Sequence, residues 1–291
     1  MTSKLADKVA VVIGGSAGIG LGIAKRFANE GARVFITGRR KGQPDEAVAS
    51  IGGDAAAIRG DAANLADLDR IFAQIQSQAG RIDALAVSAG VYEFGTFGEI
   101  TEEHFDKAFN TNVRGLLFTV QKALPLLTRG SSVILIGSMV SIKGFAACSV
   151  YNASKAAIRS FARTWIVDLK GRDIRINVLS PGYTDTPGLS DFVTDREKAE
   201  MVASVPPRSH WELWSRFHRY RRLYIAPCST RTESFTYHYC DSDACYNPYS
   251  ITGDLKKAGH SYTLEYMALE DIMNFPNLQE RRKSSLDLSN C

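Results

Sequence analysis

Three side chains with complementary acid–base chemistry occur between residues 138 and 155. Ser138 follows the apolar run 133–136, whose composition predicts a buried parallel strand. Tyr151 and Lys155 come after a loop, at the spacing that places two side chains on one face of a helix. Because ligands of open α/β sheets bind at the carboxyl ends of strands, we expect a hydroxyl, a phenol and an ammonium to converge there. On its own this spacing is a weak signal, because chance pairs usually form a half-exposed surface.

A glycine-rich turn near the N-terminus predicts a phosphate-binding site. The segment 8–13, which is apolar from 9 to 13, predicts a strand, and a helical pattern begins after the turn. Glycines let a pyrophosphate approach the backbone, and the helix N-terminus offers unpaired N–H groups. The order strand, turn and helix favours a dinucleotide site over a merely flexible loop. The residues of the turn that we expect at the cofactor are Gly14, Ser16, Gly18, Ile19 and Gly20.

The end of the second predicted strand, 33–37, indicates which dinucleotide is bound. A fold that prefers NAD usually has an acidic residue there, which accepts from the ribose 2′-hydroxyl. This chain has Arg39 and Arg40 instead, and their guanidinium groups could hold a 2′-phosphate through charge-assisted hydrogen bonds. The sequence therefore predicts NADP, with NAD as the less favoured cofactor. Surface arginines without a ligand are the alternative interpretation.

Two polar residues leave alternatives open. Asp61 follows a third predicted strand, 55–59, and could accept from an adenine amino group or cap the helix that begins near Leu65. Asn112 interrupts the long helical region 101–127. It could be a solvated or capping residue, or it could hold a water at a kink behind the active site.

The alternation of strands and helices predicts the fold class. A fourth strand, 84–87, leads into the small residues Ser88, Ala89 and Gly90, and a sixth, 174–179, ends before Pro181. Six strands that alternate with helices predict an α/β fold with a doubly wound parallel sheet, a Rossmann fold, in a single domain.

Together, these motifs resemble the short-chain dehydrogenase/reductase family in order and in approximate spacing. The resemblance covers roughly residues 5 to 205, which implies that 1–205 form the Rossmann-type domain. It rests on Gly14-x-x-x-Gly18-Ile19-Gly20, Asp61, Asn112, Ser138, Tyr151-x-x-x-Lys155 and Pro181-Gly182-x-x-x-Thr186. The family likeness implies an oxidoreductase that interconverts a carbonyl and a secondary alcohol with NADP(H).

The resemblance also implies a role for each catalytic residue. Tyr151 is the general acid/base, Ser138 holds the substrate oxygen, and Asn112 anchors a water for proton resupply. Lys155 binds the nicotinamide ribose and favours the phenolate. One unit charge at ~4 Å is worth about 4 kcal/mol at an effective dielectric of 20, which corresponds to roughly three pKa units.

The resemblance further implies a set of cofactor-binding residues and no metal, since hydride transfer needs none. That set is Gly14, Ser16, Gly18, Ile19, Gly20, Arg39, Arg40, Asp61, Ala62, Ala89, Gly90, Tyr151, Lys155, Pro181, Gly182, Thr184 and Thr186. Two positions depart from the family: Ile13 replaces the usual Thr, and 87–90 read Val-Ser-Ala-Gly in place of Asn-Asn-Ala-Gly. Both changes remove side-chain hydrogen bonds near the cofactor loops.

The sequence changes character after residue 205, and we treat 206–291 as an atypical C-terminal tail. The family's closing helix, seventh strand and Val-Asp-Gly-Gly ending are not recognisable there. We therefore predict that they are replaced and that the sixth strand is an open edge. We hypothesise that the tail arose by a shift of the reading frame. Codons can be chosen for residues 207–211 that, when they are read one base further on, encode Leu-Gly-Arg-Ile-Gly, and this restores the Leu-Gly-Arg with which the family normally continues.

The tail allows several interpretations, of which partly disordered chain is the main one. An RNA-binding stripe or an interfacial helix within the aromatic and basic segment 211–224 are the alternatives. A zinc site is not indicated, because the spacing of its possible ligands matches no familiar pattern. Those residues are Cys228, His238, Cys240 and Cys245. A catalytically silent scaffold or interaction protein is therefore the alternative function.

Composition limits the other possible partners. The net charge of +4 is small and spread along the chain, so nucleic acid binding is not indicated. The sequence contains no bilayer-length apolar run and no signal-peptide core at its N-terminus, and its five cysteines form no repeated Cys-x-x-Cys. We expect a cytoplasmic enzyme that acts on a small carbonyl or alcohol substrate, away from membranes. A homo-oligomer is usual for the family, but the altered tail would remove a common assembly surface.

Overall fold

A parallel sheet with helices on both faces forms the centre of the molecule. The computed structural model describes residues 3–182, 184, 186–190, 193, 194 and 196, and the backbone of 223–226, 236–238 and 266–267. The central strands are β1 (Val9–Ile13), β2 (Arg33–Gly38), β3 (Ala55–Arg59), β4 (Ile82–Val87), β5 (Leu127–Ile136) and β6 (Arg175–Ser180). The helices are α1 (Gly18–Asn29), α2 (Gln43–Ile51), α3 (Leu65–Ala79), α4 (Glu102–Phe109), α5 (Leu116–Ala123), α6 (Ser149–Asp168) and α7 (Pro187–Ser190).

The strand order confirms the predicted doubly wound topology. Strands β1 to β6 are parallel and lie in the order β3-β2-β1-β4-β5-β6. Successive strands are therefore added on one side of β1 up to β3 and on its other side from β4 onwards. The connections that leave the carboxyl ends of β1 and β4 go to opposite sides, and a crevice forms between them. A ligand site is expected at this position in an open α/β sheet.

Apolar residues on both faces of the sheet form two core clusters. Successive residues of β1 alternate between them, so that Val11 belongs to one cluster and Val12 to the other. Helices α3, α5 and α6 cover the first face with Leu68, Leu116 and Ile158. Helices α1 and α2 cover the second face. This two-sided burial explains why the strands are continuously apolar in sequence.

The long helical region before β5 is interrupted by a π-helical segment. Asn110–Gly115 form this segment between α4 and α5. Asn112 lies within it and is 1% exposed, so the solvated and capping interpretations of Asn112 are wrong. Segments of this kind occur frequently at functional sites, because the extra residue redirects side chains.

Two elements differ from the sequence expectation. Helix α2 was not anticipated, and β5 begins at Leu127, several residues before the expected run 133–136. The edge of β6 is also not open: β8 (Thr236–His238) pairs with it in parallel at Leu179 and Ser180. Strands β7 (Leu223–Ala226) and β9 (Tyr266–Met267) extend the same sheet, with β7 antiparallel to both β8 and β9. Backbone hydrogen bonding at a strand edge does not require a recognisable strand sequence.

The remaining predictions for the tail lie outside the described residues, including residues 211–222 of the aromatic and basic segment, Cys228, Cys240 and Cys245. None of the helices in the described part of the chain combines the length and the apolar character needed to span a membrane.

Candidate active site

A cavity of about 640 Å³ lies where the carboxyl ends of the central strands meet. Its walls come from the turn after β1, the ends of β2 to β6, the start of α6 and the segment that contains α7. Nearly all of the residues predicted from the sequence line it. These are Gly14, Ser16, Gly18, Ile19, Arg39, Arg40, Asp61, Ala62, Ala89, Gly90, Ser138, Tyr151, Lys155, Pro181, Gly182, Thr184 and Thr186. Gly20 and Asn112 lie behind the wall.

Ser138, Tyr151 and Lys155 meet at the floor of this cavity. Ser138 lies two residues after the end of β5, and its side chain is close enough to that of Tyr151, on the first turn of α6, to influence the phenol. Lys155 lies one helical turn further on, with Nζ 5.7 Å from the centroid of the Tyr151 ring. Its Nζ donates to the carbonyl oxygen of Ile136 at 2.9 Å. The predicted convergence of hydroxyl, phenol and ammonium is therefore present.

Burial determines the proton affinities of this group. Burial raises the pKa of Tyr151. The neighbouring Ser138 side chain opposes this increase, and the nearby Cys148 thiol adds to it. Burial also lowers the pKa of Lys155 from 10.5 to about 8. Desolvation therefore disfavours both the phenolate of Tyr151 and the ammonium of Lys155.

Asn112 connects the π-helical segment to the active site. Its Nδ2 donates to the Val91 carbonyl oxygen at 2.7 Å and to Ser154 Oγ at 3.0 Å, while its Oδ1 accepts from the Val91 N–H at 2.8 Å. Ser154 Oγ in turn donates to the Tyr151 carbonyl oxygen at 2.7 Å. Asn112 thus ties the loop after β4 to helix α6.

Glycines in the first turn allow the backbone to pack closely around the cavity. Gly14 has φ +80°, and a Cβ on it would lie 2.5 Å from the backbone nitrogen of Ala89. A Cβ on Gly20 would lie 2.1 Å from the Gly14 carbonyl oxygen. The absence of a Cβ at Gly20, which does not line the cavity, therefore allows helix α1 to pack against the backbone of the turn. Helix α1 begins at Gly18, and its N-cap residue Ala17 makes no side-chain cap, which leaves N–H groups available to a phosphate.

Other contacts join the cofactor loops around the two positions that depart from the family pattern. The carbonyl oxygen of Ile13 accepts from the backbone N–H groups of Ser88 at 2.8 Å and Ala89 at 2.9 Å. The N–H of Gly14 donates to Thr37 Oγ1 at 3.0 Å. The cofactor loops are therefore joined to each other and to β2 without the side chains that the family usually supplies.

At the far end of the cavity, basic residues after β2 face the end of β3. Arg39 Nη1 lies 3.8 Å from Asp61 Oδ2, and both side chains are partly exposed. Arg40 has no ion pair among the described residues and also lines the cavity. Asn64 caps α3 by accepting from Ala66 and Asp67, so the alternative in which Asp61 caps this helix is wrong. Gln43, which sequence analysis missed, approaches Ser16 Oγ at 3.4 Å.

The opposite end of the cavity is aromatic and apolar. Phe94, Phe145 and Leu189 line it. The sequence also hints at Tyr183 and Phe192 as members of an apolar pocket, with structural packing as the equal alternative, and these two lie outside the described residues. Ser88, one of the small residues after the fourth predicted strand, also lines the cavity. Further lining residues that sequence analysis missed are Thr37, Gln43, Tyr92, Thr111, Met139, Val140 and Cys148. Tyr92 could have been suspected from its position two residues after Gly90, in the loop that follows β4.

The cavity fits a dinucleotide along its whole length. Two guanidinium groups lie at one end, uncapped N–H groups of α1 follow, and a buried ammonium lies at the other end beside Gly90. A Cβ on Gly90 would lie 3.2 Å from Asn112 Oδ1 and 3.6 Å from Lys155 Nζ. Each donor matches a group of the cofactor that carries negative charge or hydroxyls.

Comparison with known proteins agrees with this description. Residues 8–197 match the family model of the short chain dehydrogenases. Oxidoreductase asL5 of Sarocladium schorii is 46% identical over 185 residues, which cover 63% of this chain and 74% of that protein. The NADP-dependent (R)-specific alcohol dehydrogenase of Lentilactobacillus kefiri is 34% identical over 211 residues, which cover 70% and 82%.

Solved structures show the same likeness. A short chain dehydrogenase of Burkholderia cenocepacia in complex with NADP matches with a TM-score of 0.61 and 34% identity, over 64% of this chain and 78% of that one. A dehydrogenase/reductase of Sinorhizobium meliloti matches with a TM-score of 0.66 and 32% identity, over 70% and 82%. The chain belongs to the short-chain dehydrogenase/reductase family. It is accordingly an NAD(P)-dependent oxidoreductase.

Proposed function

We propose that this protein interconverts a carbonyl compound and a secondary alcohol with NADP(H), using Tyr151 as general acid/base. The observation that supports the proposal is the convergence of Tyr151 and Ser138 at the cavity floor, with the buried Lys155 beside them. The substrate oxygen would lie between the two hydroxyl groups. Both can donate to it while negative charge develops there.

In the reducing direction Tyr151 gives its phenolic proton to the substrate oxygen. The raised pKa of Tyr151 keeps the phenol protonated at neutral pH, so the proton to be donated is in place. A bound nicotinamide supplies the hydride for reduction and accepts it in oxidation. Ser138 holds the oxygen in both directions. In oxidation Tyr151 first releases its own proton to solvent, and the phenolate then takes the proton of the alcohol.

Lys155 holds the second proton of the site. Its Nζ, fixed by the Ile136 carbonyl, lies on the cavity wall close to Gly90, where it would also bind the ribose next to the nicotinamide. Asn112 keeps this wall in place through Val91 and Ser154. The water that the family likeness assigns to Asn112 would connect Lys155 to solvent and return a proton after each turnover.

The remaining lining residues would hold the cofactor. The turn from Gly14 to Ile19 would bind the pyrophosphate, Asp61 and Ala62 the adenine, and Ala89 and Gly90 the ribose. The segment Pro181, Gly182, Thr184 and Thr186 would hold the nicotinamide amide. Arg40, which has no ion-pair partner among the described residues, would bind a 2′-phosphate, with Arg39 beside it. This arrangement favours NADP over NAD.

A catalytically silent scaffold is less consistent with these observations. The acid–base group is complete, and the hydrogen bonds of Ile13 and Thr37 hold the cofactor loops despite the two sequence departures. A silent fold has no need to keep an ammonium buried in an otherwise apolar wall, where desolvation makes it costly.

The proposal is tested by following NADPH oxidation with a panel of aliphatic and aromatic ketones, beside thermal shift with NADPH and with NADH. We expect turnover of at least one ketone and a larger rise in melting temperature with NADPH. Tyr151→Phe is the matched variant, since it removes one oxygen and should still bind NADPH. Binding of NADPH without turnover of any ketone or alcohol would contradict the proposed function.

A further inference from the structure

We propose that Tyr92 is a specificity-determining residue and that the substrate is an uncharged ketone with an aromatic ring next to its carbonyl. This inference rests on the proposed function, because it concerns the substrate end of the same cavity. Four observations carry it: how Tyr92 is fixed, what its ring contacts, what its hydroxyl binds, and which charges surround it.

Tyr92 follows a residue whose backbone is fixed from both sides. The N–H and the carbonyl of Val91 are both hydrogen-bonded to the side chain of Asn112, at 2.8 and 2.7 Å. Asn112 is buried in the π-helical segment and also binds Ser154, which contacts the backbone of Tyr151. A short chain of hydrogen bonds through Asn112 and Ser154 therefore fixes the position of Tyr92 relative to that of Tyr151.

The ring of Tyr92 forms an aromatic wall beside the reacting group. Its centroid lies 5.8 Å from that of Tyr151 with an interplanar angle of 56°, and 5.9 Å from that of Phe94 with an angle of 77°. All three rings line the cavity. Aromatic rings attract one another in tilted and edge-to-face arrangements, so this wall favours an aryl group on the ketone over a saturated ring of the same size.

The hydroxyl of Tyr92 joins this wall to the opposite side of the cavity. It donates to the Gly188 carbonyl oxygen at 2.8 Å, and Gly188 belongs to α7, the segment after β6. Leu189 of the same segment lines the cavity. The bond therefore links α7 to the loop after β4 at the cavity wall.

The described charges around this end of the cavity favour a neutral substrate group. Among the described lining residues, Arg39, Arg40 and Asp61 are at the adenosine end, and Lys155 is bound to Ile136 at the floor. Glu93, the neighbour of Tyr92, pairs with Lys107 at 2.9 Å and does not line the cavity. A carboxylate or phosphate on the substrate would lose its hydration, and the described lining residues of this end supply no cation to replace it.

Three ketones of similar size test the inference: acetophenone, cyclohexyl methyl ketone and the keto acid phenylglyoxylate. With NADPH saturating, we expect wild-type kcat/KM to be about five-fold higher for acetophenone than for the cyclohexyl compound, as edge-to-face contacts allow. Phenylglyoxylate should be turned over at least about ten-fold less efficiently than acetophenone.

Two substitutions separate the ring from the hydroxyl. Tyr92→Leu should abolish the preference for acetophenone over its cyclohexyl analogue. Tyr92→Phe should keep this preference, raise KM for both ketones about five-fold through loss of one hydrogen bond, and leave kcat within two-fold. Phe97→Ala is the matched control, because Phe97 lies on the same loop but is 91% exposed; its kinetics should equal those of the wild type.

The outcomes distinguish this inference from the function on which it rests. An equal kcat/KM for the two neutral ketones, efficient use of phenylglyoxylate, or a ratio that Tyr92→Leu does not alter would overturn the inference and leave the oxidoreductase function intact. Absence of turnover for all three ketones and for the wider panel would overturn both. A Tyr92→Phe variant with unchanged KM would overturn the role of the hydroxyl.

Discussion

The ammonium of Lys155 lies 5.7 Å from the centroid of the Tyr151 ring and is held by a backbone carbonyl rather than by a carboxylate. No acidic side chain among the described residues forms an ion pair with Lys155. A buried cation with only a neutral acceptor releases its proton easily, which is why the pKa of Lys155 falls to about 8. Lys155 and Tyr151 therefore form a proton-donating pair at neutral pH.

This pairing predicts the pH dependence of the reduction. Tyr151 and Lys155 are both protonated at neutral pH, and Lys155 is the first of the two to lose its proton as the pH rises. We expect kcat/KM for ketone reduction to be level from pH 6 to 7 and to fall about ten-fold per pH unit well above pH 8. Initial rates with NADPH across this range provide the measurement. A profile that rises through pH 8 would contradict the assignment.

The same shift predicts a pH-dependent stability. The folded pKa of Lys155 is about 8, whereas an unfolded lysine titrates near 10.4. Between these values the unfolded state binds more protons, so stability gains from rising pH. Relative to Lys155→Met, the wild type should gain about 2 kcal/mol of unfolding free energy between pH 8 and pH 10. Urea denaturation of both proteins at the two pH values measures this difference, and a constant difference would contradict the shift.

Removal of the phenolic oxygen should abolish proton transfer without disturbing the fold. For Tyr151→Phe we expect kcat to fall by about 10² to 10⁴, the usual contribution of a general acid. The melting temperature should stay within a few degrees, since the ring and its contact with Tyr92 remain. Near-normal NADPH affinity in a fluorescence titration is the control. Activity within ten-fold of the wild type would assign the proton to another group.

The basic end of the cavity predicts how the two cofactors are distinguished. Arg40→Leu should weaken NADPH binding about ten-fold and leave NADH binding unchanged, because it removes a charged donor to a phosphate that NADH lacks. Lys41→Leu is the matched control, since Lys41 is exposed, adjacent and not part of the cavity wall. Equal losses for both cofactors in Arg40→Leu would show that the residue does not contact the 2′-phosphate.

Ala147 offers a stability test close to the site. Its φ of +57° lies in the left-handed region, and its carbonyl oxygen accepts from the N–H of Gly95 at 2.8 Å. Ala147→Gly should raise the free energy of unfolding by about 0.5 to 1 kcal/mol, because a Cβ is unfavourable in this conformation. Ala146→Gly, at a neighbour without a positive φ, should instead lower it. Denaturant titration of the two variants and the wild type measures whether each substitution raises or lowers the free energy of unfolding.

The sheet could be predicted from sequence because its strands are buried on both faces. Continuous apolar runs such as 9–13 can satisfy their packing only in the middle of an α/β sheet. Helix α2 was not predicted, since it is short and lies between Gly42 and Gly52, residues that indicate a loop. Strand β8, which pairs with the edge of β6, has no continuous apolar run, because the pairing is made by backbone atoms.

The site was partly predictable for a similar reason. The order and spacing of the glycine turn, Ser138, Tyr151 and Lys155 follow from local geometry, and the cavity brings them together. The direction of the Tyr151 pKa shift was not predictable, because it depends on how much of the phenol the folded chain buries. The position of Tyr92 likewise depends on a π-helical segment whose extra residue has no sequence signal.

The carbonyl of Ile13 has a consequence for how this sequence can vary. A hydrogen bond made by the peptide unit persists whichever side chain that residue carries, provided that the strand keeps its register. In this chain the side chain at position 13 packs in the apolar interior, and the loops are joined without a hydroxyl there. Genetic drift at such a position can erase a family hallmark from the sequence and leave the binding loops where they were.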